Sequence, residues 1–149
     1  MKLEDEIKQS KFRNEQHKLN VNIIYTYGWL SNLQSRLLSE SGLTSNQFNI
    51  LRILRGQHPK PATINLLKER MLDKMSDASR LVERLRAKGL VSRSLSSEDR
   101  RRVDVSITEK GLRVLSEIDK LDAKSDSVFE RLSPQEVKVL NDLLDKLRG

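Results

Sequence analysis

The feature that most constrains this 149-residue chain is a change of apolar period near Gly89. Before it, apolar residues recur every three or four positions. After it, Val91 and then Val103, Val105 and Ile107 alternate with polar residues. Alternation lays one side of a strand on a core, so two short strands follow a helix here. The stretch between them, Ser96-Ser97-Glu98-Asp99-Arg100-Arg101-Arg102, is polar and free of glycine, which predicts an extended projecting tip and not a tight hairpin turn.

The rest reads as helix. From Leu19, residues Ile23, Tyr27, Leu30, Leu33 and Leu37 share one face, and the helix ends at Ser41-Gly42. Thr44-Ser45-Asn46-Gln47 has the form of a capping box that opens a second helix, stopped before His58-Pro59. Thr63 caps a short helix with Ile64, Leu67 and Met71 on one side, and a turn follows at Leu72 to Met75. The next helix runs from about Ser76 to Lys88 with Ala78, Leu81, Val82 and Leu85 on one face and Gly89 at its stop. Beyond the strands, Thr108 caps a helix carrying Leu112, Leu115, Ile118 and Leu121. Ser133-Pro134-Gln135-Glu136 then opens a last one with Val137, Leu140, Leu143, Leu144 and Leu147 as its stripe.

Two short helices joined by a turn and followed by a basic hairpin make a winged helix-turn-helix. The expected fold is therefore mainly α, with a small two- to three-stranded antiparallel β wing and dimerisation helices at both ends. The corresponding regions are an N-terminal helix region 1–43, a winged helix-turn-helix lobe 44–107 and C-terminal helices 108–149, packed as one compact protomer.

Charge narrows the partner. The chain carries a net +7, and between Arg80 and Arg102 eight cations face only three acids, so five of the seven net charges fall in that one segment. Seven of the eight are arginine, whose planar fork suits phosphates and guanine edges. Cysteine is absent, which excludes disulfides, thiolate nucleophiles and thiol redox sensing. Aromatics make up 4% of the chain, too few for an aromatic-lined catalytic cleft or for stacking on single-stranded RNA. No catalytic triad, Gly-rich phosphate loop or cofactor motif is present, and His17 and His58 stand alone, so neither enzyme chemistry, a cofactor nor a metal is expected. No run of 18 apolar residues exists and the N-terminus lacks a secretory apolar stretch, so a cytoplasmic protein with no membrane partner is expected.

The helix from Ser76 is the one placed to enter a major groove. Ser76 and Ser79 can bond base edges or phosphates, or Ser76 can serve as the helix N-cap. Arg80 suits bidentate contact to guanine, while Arg84 and Arg86 suit backbone contact or pairing with Glu83. Asp77 either accepts from cytosine or favours the helix dipole. Asp99, Arg100, Arg101 and Arg102 form a tip suited to the negative potential of a narrow minor groove.

Leu81 to Val91 ("LVERLRAKGLV"), then Glu98-Asp99-Arg100-Arg101, then Ser106 to Gly111 ("SITEKG") together resemble the MarR family of bacterial transcriptional regulators. The resemblance is specific over residues 44 to 111, and the flanking helices match in pattern. It implies an obligate homodimer on a pseudo-palindromic double-stranded DNA operator, usually a repressor released by a small ligand. It also implies that Asp99 braces the tip, that Arg101 enters the minor groove, and that Ser76, Asp77, Ser79 and Arg80 meet bases. Two departures stand out: without cysteine the family's thiol-based peroxide sensing is closed, and Asp77 stands where small or hydroxyl residues are more usual.

One helix-turn-helix reads half a site, so symmetric binding needs a partner surface. Leu140, Leu143, Leu144 and Leu147 either supply it, with the first helix, or close the chain's own core. Tyr25, Tyr27 and Trp29 either line an effector cleft between the dimer helices and the lobe or are ordinary core. The expected function is a sequence-specific DNA-binding regulator, a homodimer with a small-molecule effector of unidentified kind. The competing reading is a winged-helix module that docks an acidic protein or binds DNA without sequence preference; such a docking surface would carry apolar residues at the tip, where this chain has arginine.

Overall fold

The computed structural model describes residues 1–149. A short helix α1 (Leu3–Ile7) precedes the long α2 (Glu15–Leu38), which closes in a 3-10 turn at Ser39–Ser41 with Gly42 left-handed at φ 67°. There follow α3 (Ser45–Gln57), β1 (Ala62–Thr63), α4 (Ile64–Arg70), α5 (Ala78–Ala87), β2 (Val91–Leu95), β3 (Val103–Ile107), α6 (Glu109–Asp119), α7 (Asp122–Asp126) and α8 (Pro134–Arg148). The fold is a mostly helical winged helix-turn-helix with a three-stranded antiparallel sheet ordered β1-β3-β2.

Local chemistry accounts for most element starts. Thr44 and Ser133 form full capping boxes with Gln47 and Glu136, while Thr63 and Thr108 accept from the backbone N–H groups of Leu66 and Gly111. The third strand is only two residues long, with Ala62 opposite Val105 and Thr63 opposite Asp104. It escapes a periodicity reading because two residues have no period.

The core is centred on the helix-turn-helix segment and also takes in the end of α2 and part of α6. Seventeen buried residues form one cluster running from Leu38 and Leu43 through α3, α4, α5 and the sheet to Leu115 and Ile118. A bidentate Arg55–Asp119 pair, at 2.7 and 3.1 Å, fastens α3 to the end of α6. By contrast α8 buries nothing and α2 buries only Leu38.

Two helices depart from expectation. The helix after Thr108 ends at Asp119, where Leu121 N–H turns back to the Ile118 carbonyl, and α7 restarts at Asp122. Three-residue steps rotate by about 60° each, so Leu121 falls on the side opposite Leu112 and the stripe cannot follow one surface. At the N-terminus, α1 docks on α2 through buried Leu3, a Lys18–Glu4 ion pair and a Tyr25–Glu6 hydrogen bond of 2.7 Å.

The hairpin is seated on α6 at Gly111, where backbones meet. A Cβ there would run into the Leu90 carbonyl oxygen and lie 2.7 Å from Ile107 Cγ1. Gly111→Ala is therefore expected to destabilise the fold by about 2 kcal/mol or more, as overpacking against backbone does. Urea unfolding monitored by circular dichroism checks this, and an unchanged midpoint would mean that the two elements are free to separate.

Candidate nucleic-acid interface

The candidate interface is built from α5 and the β2–β3 hairpin. Helix α5 buries Ala78, Val82 and Leu85, so packing of that face turns Ser79, Arg80 and Arg84 to solvent. Helix α4 and α5 are joined by residues 71–77, and this connection is held tightly. Asn49 Oδ1 accepts from Leu72 N–H at 2.9 Å, Asp73 Oδ1 accepts from Met75 N–H at 3.0 Å, and Asn46 donates to Asp73 Oδ2 at 3.0 Å.

The start of α5 differs from the sequence expectation. Asp77, not Ser76, is the N-cap: its backbone is extended at φ −90° and ψ 95°, and its carboxylate accepts from Arg80 N–H at 3.1 Å. Ser76 closes the preceding loop instead, donating to the Asp73 carbonyl at 2.7 Å. Two adjacent capping residues competed for one helix start. A carboxylate wins because it adds charge at the positive end of the helix to the hydrogen bond itself. The acid that looked out of place on a phosphate-facing end thus has a structural partner of its own.

The tip is closed by internal bonds. Ser96 N–H donates to the Arg102 carbonyl and Arg102 N–H to the Asp99 carbonyl, both at 2.9 Å. Asp99 Oδ1 accepts from Arg101 N–H at 3.0 Å, and buried Ser96 Oγ accepts from Glu98 N–H at 3.3 Å. These bonds fix the loop backbone and leave the side chains of Arg100, Arg101 and Arg102 exposed.

The eight cations of this segment divide into two groups. Arg80, Arg84, Arg100, Arg101 and Arg102 are exposed and form no ion pair. The other three are engaged by the protein. Arg86 donates through Nε to both Glu83 carboxylate oxygens at 3.1 and 3.2 Å, Arg93 Nη1 reaches Glu83 Oε2 at 3.2 Å, and Lys88 Nζ donates to the Gly42 carbonyl at 2.7 Å. The Arg86 guanidinium, then Arg93, holds the Glu83 carboxyl below its ordinary range, and Glu83 in turn raises Arg86. The Glu83 pairing is therefore complete above the ordinary carboxylate range and is lost only as pH falls through the lowered value. Sequence spacing identified Arg86 as a partner for Glu83 but not Arg93, ten residues away on another element.

The aromatic trio of α2 does not converge. Tyr25 and Trp29, four residues apart, line a small cleft of about 170 Å³ with Met1, Leu3 and Glu6 from the α1 segment. The Tyr25 hydroxyl is taken by Glu6, which raises its pKa. Tyr27 lies on the other side of the helix, 69% exposed, beside a larger cleft of about 730 Å³ bounded by Phe48, Arg52, Leu72 and Asp73. All three are exposed, so none is ordinary core in the single chain. On α8, Leu140, Leu143 and Leu147 stand 47, 57 and 59% exposed, and Leu144 is half-buried.

Residues 41–102, the segment that contains the helix-turn-helix and most of the hairpin, match the MarR family. A MarR mutant from E. coli, crystallised in complex with operator DNA, superposes with a TM-score of 0.81 at 26% identity, over 94% of this chain and 100% of that one. The chain resembles the MarR family in this segment and in its fold. The HTH-type transcriptional regulator MhqR of Bacillus subtilis is 25% identical to this chain over 87% of its length and 89% of MhqR. Bordetella bronchiseptica BpsR, whose DNA binding is regulated by 6-hydroxynicotinic acid, shares the fold with a TM-score of 0.74 at 24% identity, over 89% of this chain and 99% of BpsR.

Because Asp77 is the N-cap of α5, Asp77→Ala should cost about 1 kcal/mol of stability and Asp77→Ser should recover most of it. Thermal or urea unfolding of the two variants tests this. Equal loss in both would mean that the carboxylate acts elsewhere.

Proposed function

We propose that this chain is a sequence-specific, double-stranded DNA-binding transcriptional regulator that acts as a homodimer on an inverted-repeat operator. The observation that carries this reading is the set of five unpaired, exposed arginines on two adjacent elements, α5 and the hairpin tip, in a segment whose other cations the protein engages. Unpaired guanidinium groups on a projecting surface suit phosphate and base edges, because each already forgoes an internal partner. In this reading Ser79 and Arg80 meet base edges in the major groove and Arg84 meets the backbone. Asp99 sets the tip so that Arg101, flanked by Arg100 and Arg102, enters the minor groove. Ser76 and Asp77 act indirectly, by holding the start of α5.

The dimer is supported by the exposed stripe of α8 together with the exposed side of α2, including Ile24 and Tyr27. A second copy would cover these apolar faces and supply the second half-site. The protein works in the cytoplasm, and no helix is long and apolar enough to cross a membrane.

Regulation by a small molecule is assigned to the cleft of about 730 Å³ beside Tyr27, a size suited to a small ligand. Its wall includes Asn46, Asn49 and Asp73, the side chains that hold the turn ahead of α5. An occupant that altered these bonds would bias the position of the recognition helix, which fits a repressor released by its ligand.

Selection from a random duplex pool, followed by sequencing and anisotropy titration, tests the reading. An enriched inverted repeat, bound more weakly as salt rises, is expected; salt-sensitive binding without an enriched sequence would overturn it. On the selected duplex, Arg101→Ala should weaken binding and flatten the salt slope by about one per protomer. Arg80→Ala should relax base preference at one position per half-site, and a loss uniform across sequences would reassign Arg80 to phosphate.

A further inference from the structure

The acid at the centre of the most basic surface is unexplained by the DNA contacts proposed above. Glu83 projects from the recognition helix, yet it binds the guanidinium of Arg86 on its own helix and that of Arg93 on β2. The three groups border a shallow cleft of about 410 Å³ between helix and hairpin, with Ser94, Leu95 and Val103 completing it. Side-chain exposures of 52% for Arg86, 46% for Arg93 and 45% for Glu83 leave the cluster open to water. Pairs so exposed contribute about 0–1 kcal/mol, so stability alone is a weak reason for placing them here.

Their position suggests a stronger one. At 100° per residue, Glu83 lies about 60° and Arg86 about 120° around α5 from Arg80, on the side toward the hairpin that supplies Arg93. The strip thus lies between α5 and the hairpin, the two elements proposed above to touch the duplex. Resting on the DNA-binding reading above, we infer that Glu83 is a specificity-determining residue, which withholds Arg86 and Arg93 from phosphate and thereby suppresses binding to unrelated DNA. Non-specific affinity comes almost wholly from cations that displace counterions, so the number of free arginines sets it directly. Contacts to base edges by Arg80 and its neighbours do not pass through this cluster. Withholding two cations from phosphate therefore lowers the unrelated background more than the operator affinity. The same acid ties β2 to α5, which fixes the angle between the two elements that read the duplex.

Glu83→Gln keeps the size of the side chain and removes its charge. Affinity is measured against salt for wild type and variant, on the selected operator and on an unrelated duplex of equal length. For the variant on the unrelated duplex, we expect affinity to rise about three- to tenfold and the salt slope to steepen by about one to two per protomer. The operator should gain less, so that the ratio of the two affinities falls. The triple variant Glu83→Gln with Arg86→Gln and Arg93→Gln should return the slope to near the wild-type value, since the released arginines are then gone. A slope that stays steep in the triple variant overturns the inference, because the released side chains are then not its source. So does an unchanged affinity of Glu83→Gln for unrelated DNA, or a parallel loss on both duplexes. Wild type that binds no duplex would overturn the DNA-binding reading and this inference together, whereas wild-type binding with an unaffected variant overturns this one alone.

Discussion

The narrow apolar face of α5 is the constraint on which the surface depends. Ala78, Val82 and Leu85 are buried against α3, α4 and the sheet, and nothing else on the helix is large and apolar except half-buried Leu81. Burial of a Val or Leu side chain contributes about 1.5–3 kcal/mol each, several times what an exposed ion pair supplies. The core therefore decides which way the helix turns, and the charges follow. Once that face is down, Arg80 and Arg84 must point outward. The hairpin that begins two residues after Gly89, left-handed at φ 73°, must emerge beside them.

The hairpin is positioned by contacts of equal strictness. Thr108 Oγ1 donates to the Gly89 carbonyl at 2.7 Å while accepting from Gly111 N–H, so one hydroxyl joins the end of α5 to the start of α6. Gly111 allows the Leu90 carbonyl to approach without a Cβ between them. Helix, hairpin and supporting helix are thus joined at their backbones, and the base of the hairpin is set by those contacts rather than by its arginines. The arginines are free to bind because they do no structural work.

Much of this was legible in the sequence, for a physical reason. Caps at Thr44, Thr63, Thr108 and Ser133 act over three residues, so the residues that define them are adjacent in the chain. The change of period at Gly89 is equally local, and it located the hairpin. What escaped notice depends on competition or on distance. Ser76 and Asp77 are both capping residues, and only the folded turn, with Asp73 accepting from the Ser76 hydroxyl, decides between them. The Glu83–Arg93 contact crosses between elements, and the α1 segment docks on α2 over gaps of 14 and 19 residues. Tyr25, Tyr27 and Trp29 looked like one group because they are close in sequence. Residues two apart on a helix point about 200° away from each other, and the structure divides them accordingly.

The chain's terminal helices complete the account from the opposite direction. Most apolar residues of α2 and α8 are poorly covered by the chain itself, while the core that runs from Leu38 to Ile118 is closed. A closed core flanked by helices with uncovered apolar faces is the arrangement that the proposed symmetric pair requires. Hydroxyl-radical footprinting of the selected duplex tests that claim most directly, because it reports each copy's helix and tip at once. The account predicts two protected patches on each strand, related by a dyad and centred about one helical turn or a multiple of it apart, with outer minor-groove protection that disappears in Arg101→Ala. A single unsymmetrical patch, or even protection along the whole duplex, would contradict it.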